Sequence, residues 1–140
     1  MHRAARSRML GGGRALGVDR MDMETMLDVA AVLFGLAALG GLVMVFQRFG
    51  QNRNPPVWLA MVHGFAAAAG LTLLAYAAWA TGIPPLAQAA LGLLVVAALG
   101  GTVINLRDHW KHVLLSKTWV VGHLVLAVVG YGLLLRVAWG

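Results

Sequence analysis

The fold class this sequence predicts is all-α: an integral membrane four-helix bundle made of two parallel two-helix repeats, helices 1-2 and 3-4, with a pseudo-two-fold axis along the membrane normal. Three observations predict it. Of 140 residues, 60% are hydrophobic and 11% charged, with a mean hydropathy of +0.78; an ordinary soluble domain is about a quarter charged. Four stretches, Val29–Gln47, Val57–Ala80, Pro85–Leu106 and Thr118–Leu135, carry no charged residue. Each reaches or approaches the ~20 residues that cross a ~30 Å hydrocarbon core as a helix, the form that satisfies its own backbone in lipid. The third observation is a register of sixty. Val29–Ala80 laid on Ala89–Gly140 without a gap gives 15 identities in 52 positions, and such internal repeats fix an architecture.

The elements follow in chain order. Residues 1–22 hold Arg3, Arg6, Arg8, Arg14 and Arg20 in a Gly/Arg-rich context, too polar for a signal-peptide core. They are expected to be a disordered basic tail, or to precede a true start at Met21 or Met23. The bundle is 23–140, with spans near 29–47, 57–80, 85–106 and 118–138. The first helix repeats in the third: Ala37-Ala38-Leu39-Gly40-Gly41 matches Ala97-Ala98-Leu99-Gly100-Gly101. The second repeats in the fourth: His63, Ala67, Gly70, Leu74 and Trp79 match His123, Ala127, Gly130, Leu134 and Trp139. Parallel repeats are related by an axis along the membrane normal, which puts the related helices diagonally across the core.

The net charge of +6 is no nucleic-acid signal, since five of the arginines lie in the first twenty residues. Counted from Met21, the first and third loops carry Arg48, Arg53, Arg107, Lys111 and Lys117. The other side carries Asp22, Glu24, Asp28, the uncharged turn Thr81–Pro85 and Arg136. This Lys/Arg bias places the two loops in the cytoplasm and both termini outside a cytoplasmic (inner) membrane. No cysteine is present, which excludes disulfides and thiolate chemistry. No phosphate loop, catalytic triad, paired carboxylate or zinc motif occurs, and the spans hold no acidic residue. An electron-transfer or accessory membrane protein is expected rather than a stand-alone catalyst.

Helical phase at ~100° per residue puts His63, Ala67, Gly70 and Leu74 on one stripe, with His123, Ala127, Gly130 and Leu134 on its counterpart. Each histidine sits ~10 Å below the cytoplasmic end, level with the Gly40-Gly41 and Gly100-Gly101 pairs of the antiparallel helices. An ionisable side chain at membrane depth is usually explained by a partner or a ligand. A single haem b fits: His63 and His123 as axial ligands, and glycines and alanines (Gly40, Gly41, Gly100, Gly101, Ala67, Gly70, Ala127, Gly130) leaving room for a flat macrocycle. Arg48, Arg107 and Lys111, with Arg53 and Lys117, would neutralise its propionates. The Nε2 atoms should then face one another about 4 Å apart. Imidazoles turned to lipid, or each onto a separate backbone carbonyl, would sink the cytochrome reading and leave a structural subunit as the better account.

These residues resemble the membrane b-type cytochromes, such as the cytochrome b and cytochrome b561 families, over roughly Val29–Trp139. Those families carry a second histidine lower on each helix, where this chain has Tyr76, Ala77, Arg136 and Val137. The resemblance therefore implies one haem and no complete transmembrane relay. It implies electron transfer within or near the membrane, with a quinone or a redox protein as partner and a homo-oligomer or larger complex as context. Two other classes fit the same residues: a cofactor-free structural or accessory subunit, and a small transporter component. Glycine pairs often mean close packing alone, and His109 and His112 read as interfacial loop residues. Trp79 and Trp139 at one level, and Trp58, Trp110 and Trp119 at the other, read as aromatic belts, and Asn105 as an inter-helix hydrogen bonder.

Overall fold

The computed structural model describes the backbone of residues 3–109, 111 and 113–140, and the side chains of residues 22–107, 111 and 113–140. The chain is all-helical over these residues. Helix α1 is Arg3–Gly50, α2 Val57–Ala80, α3 Pro85–Ile104 and α4 Lys117–Ala138, with a π-helical turn, Asn105–His109, continuing α3. Four segments are long and apolar enough to cross a membrane: Asp22–Gly50, Val57–Ala80, Pro85–Arg107 and Lys117–Ala138. The backbone of the basic segment runs into α1 from Arg3. Its side chains, Met1, His2, Trp110, His112 and the side chain of His109 lie outside the described residues.

Local chemistry sets the boundaries. Pro85 occupies the first turn of α3, where its missing N–H has no intrahelical bond to lose. Gly82 takes φ +69° in the turn before it, a left-handed conformation that glycine adopts without steric cost. Thr81 closes α2 by donating both its N–H (3.0 Å) and its hydroxyl (2.8 Å) to the Ala77 carbonyl. That oxygen would otherwise be one of the helix end's orphan acceptors.

Packing is uneven. α1 lies along α2, and α3 along α4, as two intimate helical hairpins; α1 touches α4 and α2 touches α3 more sparsely, and the diagonal pairs do not meet through their backbones. The apolar core fills the end of the bundle nearest the α2–α3 turn. It is built from Leu27, Ala30 and Phe34 of α1, Leu74 and Ala77 of α2, Ala87, Ala90 and Leu94 of α3, Leu134 of α4 and Ile83 from the turn. Gly70 is part of the reason the helices close here, since a Cβ on it would stand 3.0 Å from the Phe34 ring. Gly130 has the same relation to Leu94, again at 3.0 Å. Outward-facing Leu39, Phe65 and Trp79 are 64%, 68% and 82% exposed, which is the composition of a lipid-facing surface rather than a solvated one.

The two ends are tied differently. At the core end, the Trp139 indole N–H donates to Asp28 Oδ1 at 3.1 Å, linking α4 to α1. At the other end the two loops are stitched together. Asn54 donates to the Val113 carbonyl (2.6 Å) and accepts from the Leu115 N–H (3.0 Å). Arg48 donates Nε–H to the Leu115 carbonyl at 2.7 Å. Between this stitching and the core the bundle is hollow.

Candidate functional site

A cavity of about 530 Å³ occupies the hollow level, within the ~300–1,000 Å³ range of ligand pockets. Its walls come from all four helices, and all four contribute small side chains: Ala37, Ala38 and Gly41 of α1, Gly64, Ala67 and Ala68 of α2, Ala97, Ala98 and Gly101 of α3, and Ala127 of α4. Phe34, Leu71, Leu94 and Tyr131 form its floor toward the core, and Arg48, Pro55 and Leu115 belong to its stitched end.

His63 and His123 both line it, and their rings meet across the bundle with centroids 6.2 Å apart and planes at 73°. Each ring is fixed from behind. His63 Nδ1 lies 2.8 Å from the Ala37 carbonyl, and His123 Nδ1 lies 2.8 Å from the Ala97 carbonyl. A carbonyl only accepts, so Nδ1 carries the proton in both rings. In the neutral imidazole the lone pair is then on Nε2. Each ring bonded to its own backbone carbonyl is the outcome expected from sequence to count against a haem and for a structural role, and it is the one the structure shows. An imidazole has two nitrogens, and here only Nδ1 is spent on the backbone.

The glycine pairs divide their work. A Cβ on Gly101 would stand 3.1 Å from His123 Cε1, and one on Gly41 would stand 3.4 Å from His63 Cε1. These glycines let each imidazole lie against the neighbouring helix and reach a carbonyl one turn away. Gly40 meets only His63 Cβ and Leu59 at 3.6 and 3.9 Å, and Gly100 faces open space; neither lines the cavity. Gly70 and Gly130 also lie outside the wall, in the helix contacts beneath it. Ala67 and Ala127 are in it.

Of the five basic rim residues, Arg48 alone lines the cavity. It is 7% exposed and donates to the Leu115 carbonyl and, at 2.9 Å, to Asn52 Oδ1. No carboxylate pairs with it among the described residues. Both of its acceptors are neutral oxygens, and a guanidinium makes its stronger hydrogen bonds to anions. Arg53 instead bonds Gln51 at 2.6 Å in an exposed position, Lys117 lies 5.4 Å over the Phe49 ring, and Arg107 and Lys111 are exposed outside the wall.

Sequence reasoning missed Tyr131, Phe34 and Thr102 of the wall. Gly35 marks Tyr131, because a Cβ there would stand 2.9 Å from the phenol oxygen. No pattern in the sequence pairs those two positions. Asn105 also lines the cavity, and among the described residues its amide has no hydrogen-bond partner, against the expectation of an inter-helix bond. No protein-family model, curated protein or solved structure matches this chain.

Proposed function

We propose that the chain is a small integral membrane b-type cytochrome that binds one haem b between His63 and His123 and transfers electrons within or next to the membrane. The observation that carries this reading is the pair of imidazoles, each anchored through Nδ1 with Nε2 left over, which line one cavity with their centroids 6.2 Å apart. An iron with two imidazole ligands has nitrogens ~2 Å away on either side. Adding a ring radius of ~1.1 Å at each end gives centroids ~6 Å apart. The 73° between planes is compatible, because both rings can contain the iron–nitrogen axis at any twist about it. Metal-bound histidines characteristically donate their second N–H to a carbonyl or carboxylate, which fixes the tautomer and raises ligand basicity.

The bound group would supply a one-electron couple at its iron. The chain's own contribution is to hold, orient and exclude. Ala37 and Ala97 lock both ring orientations, Gly41 and Gly101 set ring depth, the small side chains leave a slot, and Arg48 offers charge to a propionate. The apolar walls keep water from the iron and so bear on its potential. We further read helices 1-2 and 3-4 as parallel copies about an axis through the cavity. Both histidine bonds span 26 residues, and burial coincides at Ala30/Ala90, Ala37/Ala97, Gly70/Gly130 and Leu74/Leu134. The loop carrying Arg48 and Arg53 is assigned to the cytoplasm of an inner-membrane protein, and a quinone or a redox protein to the role of electron partner.

One observation favours the cofactor-free structural subunit: the same histidine–carbonyl bonds also tie α1 to α2 and α3 to α4. The two readings separate on one measurement. The full chain, expressed with ample haem and purified, should be red with a low-spin Soret band that shifts on reduction. His63→Ala or His123→Ala should abolish that spectrum, and His109→Ala or His112→Ala should preserve it. A colourless protein from haem-replete cells would leave the structural reading.

A further inference from the structure

The four-helix wall has two sparse seams, α2 against α3 and α4 against α1. In the sixty-residue register these seams are counterparts, so one serves as a control for the other. On α4, the residues lining the cavity beside its seam are Val120, Leu124 and Val128; on α2 the same register positions are Ala60, Gly64 and Ala68. Facing them, α1 presents Leu42 and Val45, whereas α3 presents Thr102 and Asn105. One seam is thus closed by five branched aliphatic side chains. At the matching register positions the other has three side chains of a methyl group or less and two small polar ones, with Val57, Met61 and Phe65 on its outer side.

The second observation is spatial. A second, more open hollow of about 490 Å³ lies on the α2–α3 face, edged by Val57, Met61 and Phe65, and it shares Ala60, Gly64, Ala68 and Asn105 with the central one. The wall between the two is made of these residues. A Cβ on Gly64 would meet nothing within 4 Å, so open space extends past the helix backbone at that point. The Asn105 amide stands in both cavities at the start of the π-helical turn, and π turns are frequent at functional positions. The third observation points to what the interior takes. Arg48, nine-tenths buried at the stitched end of the central cavity and bonded there to the neutral oxygens of Leu115 and Asn52, offers a positive charge to an anionic group on a guest whose remaining surface is apolar.

We infer that the α2–α3 seam, past Gly64 and Ala68, is a lateral window through which a planar, apolar, carboxylate-bearing macrocycle passes between the bilayer and the histidine cavity, and that the α4–α1 seam is sealed. The guest's identity as a porphyrin rests on the haem reading; the position of the window does not. Such a guest partitions into lipid, and a path through the seam spares it the stitched polar end, where Arg48 and Asn54 bind the loops together. The amides and hydroxyls of Asn105 and Thr102 lie where its polar edge would pass.

The test is uptake kinetics. The full chain, prepared from haem-depleted cells and reconstituted in nanodiscs, is mixed with lipid vesicles carrying either haemin or metal-free protoporphyrin IX. The first is followed by its Soret band and the second by fluorescence, which needs no axial ligation. Gly64→Phe, and the milder Ala68→Leu, should slow uptake of both porphyrins at least about tenfold, read as the rate constant whatever the final amplitude. Val125→Phe, on the lipid-facing side of α4, should not slow it. Opening the sealed seam with Leu124→Gly and Val128→Ala in the Gly64→Phe background should restore the rate. Wild-type uptake rates in both plugged variants would overturn the window. Entry of protoporphyrin IX without a bis-imidazole haem spectrum would overturn the haem reading, and the window would then be decided by the protoporphyrin rates alone. Failure of both porphyrins to enter the wild-type protein would overturn both.

Discussion

At the scale of single residues, the site turns on how closely each imidazole approaches the helix opposite. Gly40-Gly41 and Gly100-Gly101 read alike in the sequence, and the helical stripe through His63 and His123 was legible there. Which glycine of each pair meets the ring was not, because adjacent residues differ by ~100° around the axis and both can face inward. In the structure Gly101 has the tighter contact, 3.1 Å from a Cβ to His123 Cε1, and Gly100 has none. Gly101→Ala should therefore push His123 off the Ala97 carbonyl, at a cost of about 1–3 kcal/mol for overpacking, and, if the proposed haem site is right, weaken haem binding. Gly100→Ala should leave both stability and spectrum within error. Titration of each variant with haemin checks this, and equal effects of the two substitutions would contradict the assignment. Gly41→Ala, at 3.4 Å, should fall between them.

At the scale of elements, the membrane spans were almost wholly legible. The expected 57–80 coincides with α2, and the other three expected spans fall within the segments Asp22–Gly50, Pro85–Arg107 and, for the fourth, Lys117–Ala138. Length and the absence of charge decide those boundaries, and both are properties of the chain. The loops were not legible. The π-helical turn and the stitching by Arg48 and Asn54 depend on which loop meets which, and no periodicity encodes that. Asn54 makes two hydrogen bonds between the loops, and net contributions of such bonds are about 0.5–1.5 kcal/mol each. Asn54→Ala should accordingly lower the thermal midpoint by several degrees without changing the histidine site. On the haem reading, Arg48→Gln should do more to the guest than to the fold: among the described residues it removes the only charged side chain that lines the cavity, so porphyrin affinity should fall while helix content by circular dichroism is retained. Undiminished affinity in Arg48→Gln would show that the cavity's guest is not held by its anionic edge.

At the scale of the whole molecule, the bundle has a filled half and a hollow half. On the repeat reading both hairpins share one plan, and Leu71 opposite Tyr131 is a place where the cavity lining departs from it. Orientation is a whole-molecule property that the charge bias of the loops alone supports. The absence of native cysteine makes its test clean: a membrane-impermeant thiol reagent applied to intact cells should label Gly82→Cys and not Gln51→Cys, and the opposite pattern would reverse the topology.

The hollow half also sets how stability should respond to a guest. Stabilising dispersion contacts are forfeited across an empty gap, and the cavity of about 530 Å³ lies between two hairpins that touch only sparsely at that level. The filled half, with Leu74 and Leu134 fully buried, holds the hairpins together without help. A guest that binds only the folded bundle adds stability as RT ln(1 + [L]/Kd), about 2.7 kcal/mol at a hundredfold excess over Kd. The thermal midpoint of the wild-type chain in nanodiscs should therefore rise with haemin concentration. In a His63→Ala/His123→Ala double variant, protoporphyrin IX should still raise the midpoint through the apolar walls and Arg48, but haemin should raise it no more than protoporphyrin IX does. The difference between the two guests in the wild-type protein isolates what the paired imidazoles contribute. A wild-type midpoint that responds equally to both would mean that the histidines do not ligate iron, however well the cavity holds the macrocycle.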